Sequence, residues 1–145
     1  MPPNISAVRR VLVVEDNPAD VYLIRSALSE YSIEAEVDVL SDGESARSTA
    51  AEFQSGRQTW PDIVLLDINL PRIDGLELLN RMAQAPCPIV VMSSSQSPAD
   101  RQQALDHGAA CYFWKPTDLD GFLHLGQIVA ELLEQQGHNA QSNAS

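Results

Sequence analysis

Asp67 closes the apolar run Ile63-Val64-Leu65-Leu66 and is followed at once by a loop carrying Pro71 and Gly75. An apolar strand that ends on an unpaired carboxylate loses stability, so the fold must offer this anion a partner. Three other apolar runs end in the same manner. Glu15-Asp16 follows Val11-Leu12-Val13-Val14, Ser93 follows Ile89-Val90-Val91-Met92, and Lys115 follows Cys111-Tyr112-Phe113-Trp114.

Three carboxylates converging on one crevice repel one another, and a divalent cation is the natural compensation. Mg²⁺ prefers oxygen ligands, keeps several waters and combines one or two carboxylates with a phosphate. Asp16 and Asp67 suit direct ligation, and Glu15 ligation either directly or through water. The backbone carbonyl of Asn69 could add a further ligand. Lys115 supplies a mobile point charge able to pair with Asp67 and later with phosphoryl oxygens. The Ser93 hydroxyl can turn toward a newly arrived anion. These are the parts needed to position a phosphoryl group and stabilise its charge, with Asp67 as the nucleophile that forms an acyl phosphate. Each part also has a plainer reading: Asp67 as a turn residue, Glu15-Asp16 as a helix cap, Lys115-Pro116 as a surface turn, Ser93-Ser94-Ser95 as loop polarity. Their common place at the carboxyl ends of different strands favours one shared site.

The elements that must position them alternate strand and helix five times. The continuous apolar run 11–14 fits a central strand covered on both faces. Asn17-Pro18-Ala19-Asp20 then opens a helix, with Asn17 as cap, Pro18 at the first position and Asp20 at the positive end of the dipole. Ala35, Val37 and Val39 alternate with Glu36 and Asp38 as in a half-covered strand. A second helix runs from Ser41 to about Phe53, followed by a polar connection from Gln54 to Pro61. Strand 63–66 leads to a helix from about Gly75 to Ala83. Strand 89–92 is followed by a helix that Ser97-Pro98-Ala99-Asp100 starts and Gly108 stops. Strand 111–114 precedes a final helix from about Leu119 to Gln136. Residues 1–9 read as an N-terminal segment, 10–136 as one domain, and 137–145 as a polar, disordered tail. Alternating βα units predict a doubly wound parallel sheet, with ligands beyond the carboxyl ends of the strands.

With 145 residues, 9 Lys+Arg against 20 Asp+Glu and a net charge of −11, the chain is an unfavourable partner for nucleic acid. Acidity of this size also simply aids solubility. No apolar run reaches the roughly 20 residues of a membrane span, and the N-terminus has no secretory pattern, so a cytoplasmic location is expected. Cys87 and Cys111 have neither disulfide-framework density nor metal-ligand spacing and read as packing residues.

The segments "VLVVEDNPAD", "DIVLLDINLPRIDGLELL", "PIVVMSSS" and "GAACYFWKP" resemble the successive motifs of the receiver domain of two-component response regulators. The resemblance covers about Arg10 to Gln136. It implies a flavodoxin-like, five-stranded sheet in the order 2-1-3-4-5. It further implies that Asp67 is the phosphoacceptor, Glu15 and Asp16 the acidic metal pair, Asn69 the carbonyl ligand, Ser93 the switch hydroxyl and Lys115 the conserved-type lysine. Pro116 matches the proline that follows a cis peptide bond, here Lys115-Pro116. Tyr112 falls at the aromatic switch position, although a packing role at the strand edge fits it equally. The resemblance is greatest to stand-alone receivers that partner bacterial phytochrome-type histidine kinases. It implies Mg²⁺ as cofactor, a histidine kinase as partner, and output through a downstream protein or a phosphotransfer partner. The apolar residues of strand five and helix five leave open a homodimer through the surface of helix four, strand five and helix five. Ser93 replaces a commoner threonine, and Arg72 and Ile73 occupy a loop where smaller residues are frequent. Trp114 fits packing or an interface.

Other classes fit less well. A phosphatase of the haloacid-dehalogenase type needs a second Asp two residues after its nucleophile, where this chain has Asn69, which cannot donate a proton in the same way. A flavodoxin-like cofactor carrier needs backbone donors and hydroxyls after strand one, where this chain has Glu15-Asp16-Asn17-Pro18. A receiver that acts as an unphosphorylated scaffold would keep every chemical part.

Overall fold

The computed structural model describes residues 8–144. Five strands alternate with five helices: β1 (Arg9–Val14), α1 (Pro18–Glu30), β2 (Ala35–Leu40), α2 (Gly43–Ser55), β3 (Ile63–Asp67), α3 (Gly75–Arg81), β4 (Ile89–Ser93), α4 (Pro98–Asp106), β5 (Cys111–Trp114) and α5 (Leu119–Ala144). All strand pairs are parallel and the sheet order is β2-β1-β3-β4-β5, the doubly wound arrangement expected.

The period of two along each strand sorts the core into two layers. Leu12, Val14, Val64, Leu66 and Val91 pack against Ala46, Ala50, Phe53, Leu78, Leu79 and Met82 under α2 and α3. Val11, Val13, Ile63, Leu65, Val90, Met92 and Phe113 meet Ile24, Leu28, Phe122, Leu125, Val129 and Leu133 of α1 and α5. Apolar residues therefore run without interruption over 11–14 of β1, 63–66 of β3 and 89–92 of β4, because both faces are covered there. Helix α4 is a weakly anchored element by comparison: Ala104 is its one buried residue.

Side-chain caps begin four of the helices. Asn17 accepts from the Ala19 N–H, Asp42 from Ser45, Asp74 from Leu76 and Glu77, and Ser97 from Asp100. Gly126, which reads as a merely tolerated break in a helix, has a packing purpose. A Cβ there would collide with the Ala27 carbonyl of α1 and lie 2.6 Å from Tyr31 Cδ1, so its absence lets α5 lie close on α1.

Three expectations are corrected. The Lys115–Pro116 bond is trans, and no peptide bond among the described residues is cis. The trans form is the lower-energy isomer by about 0.5–1 kcal/mol even before proline, and with it Lys115 still holds its N–H on the Ser93 carbonyl at 2.7 Å. Helix α5 does not stop at Gln136 but continues to Ala144. A lone Gly137 costs about 1 kcal/mol of helix propensity, too little to force an end, and polar residues remove only the packing signal. Strand β1 starts at Arg9, inside the expected leading segment, where Arg9 N–H joins the Glu34 carbonyl and Arg10 N–H the Asp62 carboxylate. Of the remainder of that segment, Val8 is exposed and residues 1–7 lie outside the described residues.

Candidate functional site

The parallel sheet brings the ends of β1, β3, β4 and β5 to one edge. Asp67, 3% exposed, is the last residue of β3; one of its oxygens, Oδ1, accepts the Asn69 N–H at 2.8 Å. Glu15, 1% exposed, follows β1 and accepts the Asn17 N–H at 3.2 Å. Asp16 is exposed beside it. Glu15, Asp16 and Asp67 each place a carboxylate oxygen within 4.8 Å of the other two.

Lys115 enters from the end of β5 and lies among the acids. Its Nζ is 2.7 Å from Glu15 Oε2, 2.9 Å from Asp20 Oδ2 and 3.1 Å from Asp67 Oδ2. Burial disfavours the ammonium, but Glu15, Asp20 and Asp67 outweigh it and hold the lysine pKa above its ordinary range. The Glu15 pKa is raised as well, but for a carboxyl the rise favours the neutral form. Its burial raises the carboxyl pKa to about 7, Lys115 opposes that rise, and the neighbouring Asp67 charge adds to it.

This donor set fits a small hard cation. It consists of oxygens, two of its three carboxylates are buried, and Glu15 Oε2 is buried without a well-directed hydrogen bond despite the nearby ammonium. Glu15, Asp16 and Asp67 would hold the ion.

The hydroxyl side of the site is arranged differently. Ser93, 2% exposed, donates to Asn69 Oδ1 at 3.0 Å and accepts the Ser95 N–H at 3.1 Å. The same Asn69 oxygen accepts the Ser94 N–H at 3.3 Å. Tyr112 is partly buried and donates its hydroxyl to the Ser95 carbonyl at 2.7 Å, tying β5 to the loop that follows Ser93. A cavity of about 230 Å³ opens between Asn69, Ser93 and Tyr112.

The structure thus brings Glu15, Asp16, Asp67 and Lys115 together, with Ser93 at the end of β4 and Tyr112 on β5 beside the loop that follows Ser93. Two contributions are absent from the sequence reading. Asp20 reads there only as a dipole partner for α1, although an acid in the first turn after an acidic pair faces the same sheet edge. The Asn69 side chain, weighed only as a poor acid beside a carbonyl ligand, is the acceptor for Ser93. Arg72 and Ile73 acquire a structural setting. Arg72 adopts φ +66°, and Ile73 fills the space over Gly43, where a Cβ would lie 2.7 Å from Ile73 Cβ. Cys87 is buried and Cys111 partly so, and burial raises both thiol pKa values, that of Cys87 to about 11, which leaves little thiolate for chemistry.

A parallel α/β sheet with an acidic triad, a lysine and a hydroxyl at its carboxyl edge is the setting of a class of proteins that handle phosphoryl groups on an aspartate, and the chain belongs to the response regulator receiver domain family, which it matches over residues 11–140. It is 30% identical over 126 residues to response regulator Rcp1 of Synechocystis, covering 82% of this chain and 84% of that protein. It is 31% identical over 128 residues to the probable methanogenesis regulatory protein FilR2 of Methanothrix harundinacea, covering 86% and 81%. Among solved structures, the phosphorylated cyanobacterial phytochrome response regulator RcpA superposes with TM-score 0.74 at 32% identity, over 86% of this chain and 93% of that one. The Mn²⁺-bound form of Rcp1 superposes with TM-score 0.71 at 29% identity, over 83% and 91%. Several other curated relatives are more than twice as long as the part they share with this chain.

Proposed function

We propose that Asp67 accepts a phosphoryl group from the phosphohistidine of a histidine kinase, and that the product alters the contacts of the α4-β5-α5 surface. The observation that carries this reading is the position of Lys115 Nζ, 3.1 Å from Asp67 Oδ2 at the mouth of the acidic triad. An Asp67 oxygen attacks phosphorus, the new O–P bond forms as the N–P bond breaks, and the histidine leaves as imidazole after taking up a proton. Lys115 pairs with the phosphoryl oxygens in place of the Asp67 carboxylate, which limits the charge that builds there. Mg²⁺ held by Glu15, Asp16, Asp67 and the Asn69 carbonyl would screen the incoming oxygens from the acids. Ser93 then exchanges Asn69 for a phosphoryl oxygen, and Tyr112, on the Ser95 carbonyl, follows the loop that moves.

The chain is on this reading a signalling protein and not an enzyme with turnover. Its likeness to Rcp1 and to phytochrome response regulator RcpA supports a phytochrome-type kinase as donor. Exposed Trp114 and Leu119 support an output through protein contact at α4-β5-α5, including a homodimer or a downstream protein. The charge of −11 argues against nucleic acid as partner. No described helix is long and apolar enough to cross a membrane, in keeping with a cytoplasmic setting.

The test is intact mass after incubation with a small-molecule phosphodonor and Mg²⁺, for the native chain, for Asp67→Asn and with EDTA. One phosphoryl adduct, lost in the variant and without metal, is the expected result. If the native protein binds the cation but gains no adduct from either the small donor or a cognate kinase, the scaffold reading takes its place.

A further inference from the structure

The three acids around Lys115 are not equivalent. Glu15 and Asp67 belong to the triad whose oxygens lie within 4.8 Å of one another. Asp20 stands apart from it, in the first turn of α1, with its side chain 19% exposed and Oδ2 2.9 Å from Nζ. A cation that takes up oxygens of Glu15 and Asp67 removes two of the ammonium's partners and places a like charge beside it. Asp20 keeps its negative charge through that exchange.

The geometry points to Asp20 as a positioning residue for Lys115, retaining the ammonium beside the phosphoacceptor when the cation claims Glu15 and Asp67. This rests on the reading of the triad as a metal site and gives a role to a residue outside it. Without Asp20, the lysine must either resist the cation by staying on Glu15 and Asp67 or swing into water on its flexible stem. The first opposes the cation directly. The second costs the ammonium its last carboxylate, a loss that falls on the cation-bound state because Glu15 and Asp67 still pair with it when the ion is absent. Both act through Lys115. Two plainer roles for Asp20 do not. An acid near the start of α1 favours the helix dipole whatever lies beyond it, and its charge attracts any nearby cation through space.

A Mn²⁺ titration read by electron paramagnetic resonance of the free ion separates these roles. The proteins are the native chain, Asp20→Asn, Lys115→Met and the double variant, each checked for fold by circular dichroism. Asp20→Asn should weaken Mn²⁺ binding by about three- to tenfold beside Lys115, and by less than about twofold in the Lys115→Met background. Asp20→Glu, which keeps the charge, should recover most of the native affinity even if the amide variant disturbs α1. Equal weakening in both backgrounds would assign Asp20 a direct effect on the cation and overturn the proposal, as would no weakening beside Lys115. Failure of the native chain to bind Mn²⁺ would overturn the metal-site reading along with it.

Discussion

The Ser93 hydroxyl donates its single proton to the side-chain oxygen of Asn69, 3.0 Å away. A hydroxyl has one hydrogen to give, so any anion on Asp67 that attracts Ser93 must break this bond first. Asn69 therefore holds the β4–α4 loop in its resting position through two donors, Ser93 Oγ and the Ser94 N–H.

Asn69→Ala should lower stability by about 1 kcal/mol, the net value of a modest hydrogen bond. The urea midpoint would fall with little change in slope. Because Ser93→Ala removes the same bond from its other end, the double variant should be less destabilised than the sum of the two. Strict additivity would show that the two side chains are not energetically paired.

Tyr112→Phe deletes only the hydroxyl on the Ser95 carbonyl, leaving the ring in place. The expected cost is about 0.5–1.5 kcal/mol. Hydrogen exchange of the amides of residues 94–97 should quicken, while those of β1 and β3 keep their protection relative to the new global stability. Unchanged exchange in that loop would argue that Tyr112 serves packing alone.

Glu15 provides a pH signature in metal-free protein. Its folded pKa is raised from 4.5 to about 7, so the folded state holds the proton more tightly than the unfolded chain. Its contribution is complete below about pH 4.5 and declines as pH rises through 7. Glu15→Gln abolishes this titration. In EDTA, the variant should match the native chain near pH 4.5 and exceed its stability at pH 8, by on the order of 1–3 kcal/mol. Urea unfolding of both proteins from pH 4.5 to 8 checks the sign, since other titrating groups largely cancel in the difference. A difference independent of pH would count against burial as the dominant influence on Glu15.

Gly126→Ala opposes two effects. Alanine improves helix propensity by about 1 kcal/mol, but the added methyl meets the Ala27 carbonyl and the Tyr31 ring of α1. Backbone cannot move aside as a flexible side chain can, and overpacking costs about 1–3 kcal/mol. The net outcome should be a lower thermal midpoint, and a rise would mean that α1 and α5 slide apart freely.

Much of this was legible in the residues themselves. In a parallel sheet every strand delivers its last residue to the same edge, so Glu15-Asp16, Asp67, Ser93 and Lys115 could be placed together from their order alone. Strand order, and the roles proposed for these residues, came through likeness to known receivers. What escaped depends on distances between elements. Asp20 is equally suited to a helix dipole and to a lysine on β5, and only the packed fold brings it within 2.9 Å of Lys115. Asn69 carries several polar groups, and its sequence does not say which of them Ser93 will find. Gly126 reads as a weak helix residue until the Ala27 carbonyl lies across it. The isomer of Lys115–Pro116 is a balance of about 1 kcal/mol, which a likeness cannot settle.

The uneven anchoring of the helices has an evolutionary consequence. Helix α4 rests on Ala104, and its residues Arg101 and Gln102 are exposed, with Gln102 occupied only by Asp106 on its own helix. Most substitutions on that outer surface cost little stability and touch none of the acids or Lys115. On the proposed reading, lineages can therefore rewrite what α4 displays, and so acquire new listeners, while the reaction that sets the signal descends unaltered.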